Sequence, residues 1–583
     1  MAIARGKYIR WFAELGMADV PLVGGKNASL GEMFCELTAQ GVRVPNGFAI
    51  TAQAYRHVLD RAEAWPALHE ALDGLNSSDL DDLARRAQKA REIVYGAKLP
   101  DDLVAQIKDA YARLRAEYGE DMTVAVRSSA TAEDLPSASF AGQHESFLNV
   151  SGEARLLDAV RQCFASLFTD RAISYRIDNG FDHFQVLLSV GVMKMVRSDM
   201  ACSGVIFSLD TESGFRDVVF ITGAYGLGET VVQGTVDPDE FYVFKPTLKA
   251  GHRAVLRRNR GAKEIRMVYA KAAGRETTRI MPTAAEDQRR YCLSDAEVLT
   301  LADVAVRIED HYSVKAGRPT PMDVEWAKDG ANGQLYVVQA RPETVASKRA
   351  PGLLEEFKLG ATGKVCASGR AVGARVASGK ARVITDITQL GQFQAGEVLV
   401  ADTTMPDWGT VMKSAAALVT NRGGRTCHAA IVARELGIPA VVGCETATTS
   451  IKTGDAVTVS CAEGSVGRVY AGVIPVQVSR TDLSTLARPR TRLMVNLGNP
   501  EVAFQTSFLP NDGVGLARLE FIVAEYIKVH PMALLQAQRI TDPAVRAQIE
   551  RLTEGYVRPA DFFVRELAEG VAIESPRRST RNP

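Results

Sequence analysis

No two of the eight cysteines form a C-x-x-C pair, and none joins a cluster of histidines and cysteines at metal-ligand spacing. That absence argues against a disulfide framework and against a structural zinc. Cys427 adjoins His428, but side chains of adjacent helical residues diverge, so the pair does not read as a metal site. Charge of one sign is also missing: 69 lysines and arginines stand against 69 aspartates and glutamates. No global field therefore draws the chain to nucleic acid or to a membrane surface, and small molecules are the expected partners. Long hydrophobic runs are lacking too. The longest apolar stretch, near Val186–Val196, is short and interrupted by Lys194, and the opening MAIARGKYIRWF has no apolar segment of the kind that marks a signal peptide. The expectation is a cytoplasmic protein. No internal repeat or low-complexity tract is evident.

What is there is a chain of 583 residues, too long for one core. At about 150 residues per domain, three or four domains are expected. Amphipathic helical stretches at Ala28–Gln40, Leu80–Tyr95 and Leu103–Tyr118 mix with short β-branched runs such as Thr123–Arg127, an α/β or α+β pattern. Strands follow at Gln185–Val196, Ser203–Leu209, Arg216–Ile221, Glu240–Phe244 and Gly333–Pro342. The pattern loosens at 346–364, which reads as a linker. From 365 to 478 it tightens into strands at Gly379–Thr385, Val398–Ala401 and Ala417–Thr420 with one clear helix. Residues 479–491 read as a second linker, polar and basic, and LMVNLGNP and DGVGLARLEF then open a βα unit.

The stretch GGRTCHAAIVARELGIPA (423–440) places a histidine just past a Gly-Gly turn. Ala417–Thr420 leads in as a strand, Thr426 can cap a helix from about His428 to Leu436, and His428 falls in its first turn. Free N–H groups and the helix dipole favour an anion there, by about 0.3–1 kcal/mol at an exposed site. The same field disfavours imidazolium and keeps a nitrogen lone pair available for attack, with Arg425 as a nearby cation. A histidine at a helix start without chemistry remains the alternative on these residues alone.

In the first third, LVGGKNASLGEM (22–33) lacks the spacing of a P-loop, since Lys26 is followed by Asn27. VRSSATAEDLPSASFAGQHESFLNV (126–150) sets Arg127 beside small hydroxyl residues, as suits a mobile loop over phosphates. GAYGLGETVVQG (223–234) is a Gly-rich turn with one carboxylate, Glu229. MDVEWAKDGANGQLYVVQARPET (322–344) puts Asp323 with Glu325, and Gln339 with Arg341, on single strand faces by the two-residue alternation, a set of oxygens and a cation that suits Mg²⁺-triphosphate.

The segment GGRTCHAAIVARELGIPAVVG resembles the phosphohistidine signature of the PEP-utilising enzymes, which include PEP synthases, pyruvate phosphate dikinases and the sugar-phosphotransfer enzyme I; its Thr-Cys-His triplet and GLGETVVQG are similar to the synthase branch. The nucleotide-half segments, in this order, resemble the ATP-grasp domain of the same enzymes. The resemblance implies a multidomain α/β and α+β protein. Residues 1–345 would form an ATP-grasp nucleotide-binding domain, 365–478 a swivelling phosphohistidine domain, and 492–583 the incomplete start of a (β/α)₈ PEP/pyruvate barrel. It implies ATP contacts at Lys26, Arg127, Glu229 and Arg341, Mg²⁺ held by Glu325 and Gln339, and His428 as the phosphoryl carrier. It further implies pyruvate binding at Arg518, and regulation by a kinase/phosphorylase acting on Thr426. The implied reaction is ATP + pyruvate + water → AMP + PEP + phosphate, with a possible homodimer and no nucleic-acid partner. A (β/α)₈ barrel takes about 250 residues, so the unit beginning near 492 is expected to leave strand edges and apolar faces unpaired and to support autophosphorylation better than PEP formation. Pyruvate phosphate dikinase and a phosphocarrier that only autophosphorylates are the alternatives. A rifampicin-type phosphotransferase would carry its histidine domain at the C-terminus.

Overall fold

The computed structural model describes residues 8–75, 79–131, 146–252, 254–270, 277–348, 353–405, 408–425, 427–487, 489–554 and 556–574. Its first half is built on two antiparallel sheets. One has five strands in the order Ile9–Trp11, Gly47–Ile50, Leu188–Lys194, Val124–Ala130, Ser146–Val150. The other has six, in the order Leu335–Pro342, Met322–Lys328, Cys202–Phe207, Val218–Tyr225, Asp239–Phe244, Val255–Asn259. The long helix Asp295–Ala316, started by a Ser294/Glu297 capping box and ended by a left-handed Gly317, covers one face of the second sheet through Val298, Leu301, Ala302, Ala305 and Ile308.

A helix over Val20–Glu36 joins the two sheets: Ser29 donates to the Ala340 carbonyl at 2.7 Å, and Asn27 donates to Ser189 Oγ at 3.1 Å. The periodicity places this helix at Ala28–Gln40, eight residues late, because Gly24 and Gly25 read as a turn. The turn is a kink within the helix. Gly24 has φ of 73°, and a Cβ there would stand 2.5 Å from the Ser129 carbonyl oxygen, so only glycine lets the helix lie this close to the strand Val124–Ala130. At its far end the helix tightens into a 3₁₀ turn, Thr38–Gln40.

Residues 365–471 close into a seven-stranded barrel, ordered Val365–Val372, Ala440–Val442, Ala417–Thr420, Val398–Ala401, Val376–Ile384, Ala456–Ser460, Val466–Ala471. Its three central pairings are parallel, each crossing over through helical or 3₁₀ turns, and small and β-branched residues fill the interior. Parts of the two stretches read as linkers are paired strand. Leu353–Leu359 pairs antiparallel with Val476–Asp482 over seven residue pairs, an exposed ribbon braced by Arg480–Glu355 at 2.7 Å. The sequence hid this ribbon because both its faces are wet, leaving no hydrophobic alternation to read.

The C-terminal residues form one parallel strand pair, Val495–Leu497 with Val514–Ala517, followed by helices that include Pro543–Thr553 and Pro559–Glu574. The expectation that their apolar faces go unpaired is corrected in part. Leu497, Ala503 and Ile573 enter a common core with Val205, Phe220 and Tyr242 of the second sheet, and the Phe504 ring stacks on Phe215 with centroids 4.9 Å apart. The buried Arg258 guanidinium meets Glu569 and, at 2.6 Å, Asp295. Other apolar groups, Leu516 and Phe521 among them, do remain exposed. Phe504→Ala should lower stability by about 2 kcal/mol, less than a full core truncation because the ring is only half-buried, read as a lower denaturant midpoint.

Candidate active site

Strand register makes the first part of the site. In the hairpin of Met322–Lys328 and Leu335–Pro342, Asp323 lies opposite Arg341 and Glu325 opposite Gln339. Alternation then points all four side chains to one face, as the sequence predicts. Arg341 donates to Asp323 Oδ2 at 2.9 Å from Nε and 2.8 Å from Nη2. Burial pushes the Asp323 carboxyl up, against the pull of that guanidinium. From the other sheet Arg127 reaches across: its Nη2 donates to Glu325 Oε2 at 2.9 Å and to Gln339 Oε1 at 2.8 Å, and its Nη1 to the Val338 carbonyl at 3.1 Å. Two hard oxygens converge on one nitrogen, so the pair can share a cation of Mg²⁺ type; here the Arg127 guanidinium is that cation. Lys26 follows the Gly24–Gly25 kink, half-buried, on the helix that packs against the strand bearing Arg127.

His428 opens the helix His428–Leu436, with the predicted bounds. The N-cap is Cys427, extended and without a side-chain cap bond, which corrects the expectation of a Thr426 cap; Thr426 itself lies outside the described residues, as do 132–145 of the hydroxyl-rich loop. His428 Nδ1 lies 3.0 Å from Oγ1 of the buried Thr404. Burial first, and the charge of Arg171 second, together hold the imidazole down to about 4. Arg171 sits on the helix Asp170–Asp178 of the two-sheet unit. Arg425, expected as the cation beside the histidine, instead donates to the Tyr242 hydroxyl at 3.2 Å.

The histidine loop is seated on the Gly-rich turn of the second sheet. A Cβ on Gly234 would come within 1.9 Å of Cys427 Cβ and 3.2 Å of the His428 backbone nitrogen, and Gly423 lies against the Gly234 carbonyl. The face of the helix carrying Ile431 and Glu435 closes a cleft whose opposite wall includes Asp323 and Arg341. The histidine is thereby brought to the side of the two-sheet unit that bears the oxygen and guanidinium cluster. Ion pairs fasten the seat: Glu240–Arg370 at 3.0 Å, Glu212–Arg434 and Asp178–Lys413.

Glu229 stands first in the short helix Glu229–Val232 of that same turn. It accepts from Gln233 at 2.8 Å, its carboxyl is raised by burial, and no hydrogen bond among the described residues joins it to the Arg127 cluster. Arg518 is apart from the rest, exposed just past the strand Val514–Ala517 at the start of the short helix Leu519–Phe521, with its guanidinium 5.5 Å from the Phe521 ring centre. Sequence reading missed Thr404, Arg171, Glu212 and Arg434; the first three belong to no local pattern, and Arg434, though inside the histidine stretch, shows its role only through its partner Glu212, 222 residues away. Among the described residues no three histidines, cysteines or acids group as a metal site, and no helix is long and apolar enough to cross a membrane.

Because the folded pKa lies below the ordinary 6.5, the seated loop favours neutral imidazole, and acidification from 6.5 toward 4 weakens that seating. A ring-labelled NMR titration should find His428 titrating near 4. Gly234→Ala, which pushes the loop off its turn, should move it back toward 6.5.

Comparison with known proteins agrees with this architecture. The family model described as "Pyruvate phosphate dikinase, AMP/ATP-binding domain" matches residues 20–358, and "PEP-utilising enzyme, mobile domain" matches 393–464. The Synechocystis phosphoenolpyruvate synthase is 52% identical over 97% of this chain and 70% of its own length, and that of Escherichia coli K12 is 51% identical over 97% and 70%. The Pyrococcus furiosus phosphoenolpyruvate synthase is 36% identical over 96% and 70%. With a nucleotide-binding unit and a closed barrel bearing the histidine in one order, and half of all residues shared along nearly its whole length, the chain belongs to the phosphoenolpyruvate synthase family.

Proposed function

We propose that the chain catalyses ATP + pyruvate + water → AMP + PEP + phosphate through a phosphohistidine at His428. The observation that carries this reading is the seating of the histidine loop on the two-sheet unit, on the side of the Asp323, Glu325, Gln339, Arg341 and Arg127 cluster. In our assignment residues 1–345 are the ATP-grasp domain, 365–478 the swivelling phosphohistidine domain and 492–583 the first part of the PEP/pyruvate barrel, with the 346–364 and 479–491 stretches between them.

Lys26, Arg127 and Arg341 would hold the triphosphate by charge and by guanidinium hydrogen bonds, and Glu229 would border the nucleotide pocket. Glu325 and Gln339 would hold Mg²⁺, which, when bound, offsets negative charge on the phosphate oxygens. With Nδ1–H donating to Thr404 Oγ1, the ring presents its Nε2 lone pair. Attack by that nitrogen on the β-phosphorus forms an N–P bond, and the P–O bond to the α-phosphate breaks with AMP as the leaving group. Water then removes the γ-phosphate as phosphate, leaving a single phosphoryl group on Nε2. A neutral imidazole is needed for this, and the low pKa keeps it neutral through the physiological range. A covalent carrier spares ATP and pyruvate from meeting in line in one pocket. Pyruvate, as its enolate, would take the group at the C-terminal unit with Arg518 as a contact. Thr426 would be the target of the regulatory kinase/phosphorylase, its phosphate repelling the incoming phosphoryl group. Dimerisation would involve the C-terminal unit.

ATP labelled at the β-phosphate should label the wild-type chain and not His428→Ala; a wild-type chain that stays unlabelled sinks the reading. Chelation should abolish labelling and added Mg²⁺ restore it. Thr404→Val should slow labelling by about tenfold, the scale of a lost positioning bond, while Thr404→Ser stays near wild type. Arg518→Ala should label normally and fail only in a pyruvate chase.

A further inference from the structure

Glu212 stands at the tip of a turn that Asp210 organises. Asp210 Oδ2 accepts from the Ser213 amide at 2.8 Å and its hydroxyl at 2.5 Å, and the Asp210 carbonyl accepts from Gly214 N at 2.8 Å. From that tip the carboxylate crosses to the barrel unit. Oε1 pairs with Arg434, and Oε2 accepts from the Gly373 amide at 3.0 Å. Burial alone would raise the Glu212 carboxyl, but Arg434 and then Arg425 hold it below the ordinary carboxylate range. Arg434 has a second task. Its Nη2 also donates to the carbonyl of Arg425, in the loop that delivers Cys427 and His428, while the Arg425 side chain is taken by Tyr242. The Arg434 side chain is 5% exposed and that of Glu212 14%, so water replaces little of this pairing where they meet.

We propose that Glu212 is a positioning residue for the first phosphoryl transfer, fixing the histidine loop through Arg434 and the Arg425 carbonyl. The inference rests on the phosphohistidine reading above. Glu212 belongs to the nucleotide half and Arg434 to the barrel, so the brace exists only while the histidine is seated over the nucleotide cluster. The reactive geometry of the loop is thus completed by docking itself. In the undocked barrel Arg434 loses its carboxylate, the Arg425 carbonyl is held by a cation with no counter-charge, and the loop relaxes. The arrangement ties loop order to the location where ATP is bound and withdraws it elsewhere.

The test is a double-mutant cycle on the complete chain, Glu212→Ala, Arg434→Ala and both, with two readouts: the rate of His428 labelling from β-labelled ATP and the affinity for ATP. Misplacing a nucleophile by about 1 Å costs on the order of 100-fold, so each single variant should slow labelling by about 10–100-fold. ATP affinity should stay within about twofold of wild type, and the double variant should be no slower than the worse single one, because both remove one linked interaction. Labelling of Glu212→Ala at the wild-type rate, equal losses in ATP affinity and labelling, or additive losses in the double variant would each overturn the positioning role. Absence of label on the wild-type chain would instead overturn the phosphohistidine reading, and the positioning role with it.

Discussion

The reach of Arg127 from one sheet to two oxygens of the other is the interaction on which the architecture turns. A guanidinium only partly in contact with water must find acceptors, and it finds Glu325, Gln339 and a main-chain carbonyl in one place. That need fixes the separation of the sheets. It also fixes the hairpin register, since a slip of one residue would turn Glu325 and Gln339 into the core beside Trp326 and Val337. The helix Val20–Glu36 is bound by the same spacing, for it fits against the Arg127 strand only with glycine at 24. Geometry required by one cation therefore governs two sheets, a helix and the cluster to which phosphates are assigned.

The seat of the histidine loop works by different physics. Its closest approach is at Gly234, Gly423 and Cys427, where glycine leaves room for the loop to lie against the turn. What surrounds it is charge of ordered sign: the nucleotide half supplies carboxylates at Asp178, Glu212 and Glu240, and the barrel supplies cations at Lys413, Arg434 and Arg370. The exposed Asp178–Lys413 pair steers and orients more than it binds, whereas Glu212–Arg434 and Glu240–Arg370 keep their carboxylates out of water and hold the seated loop more firmly. The proposed carrier cycle would have this interface form and separate in each turnover.

Much of this was legible in the sequence. The barrel strands Val398–Ala401 and Ala417–Thr420 and the histidine helix were placed residue for residue, because buried parallel strands are short apolar runs and the Gly-Gly turn punctuates clearly. The facing of Asp323 with Glu325 followed from alternation alone. Beyond the ribbon and the long-range site residues, three further things were not legible, each for a physical reason. The Val20–Glu36 helix began inside what glycine spacing reads as a turn, because the reason for Gly24 lies a hundred residues away at Ser129. The C-terminal residues found partners on a sheet whose outer face gives no local sign of being open. Arg425 was assigned by proximity in sequence to His428, but proximity along the chain did not decide which way its side chain turned.

The ribbon of Leu353–Leu359 and Val476–Asp482 has a topological consequence. Chain enters and leaves the barrel side by side, about 5 Å apart at strand spacing, so everything between 360 and 475 hangs from the rest as a cassette with its two ends together. Such a unit has no need of a fixed position to preserve the connectivity of its host. It could be cut out and its stem closed by a short turn with the flanking units still joined, or grafted elsewhere on a hairpin, and a rotation about the stem would twist both strands together without tangling either.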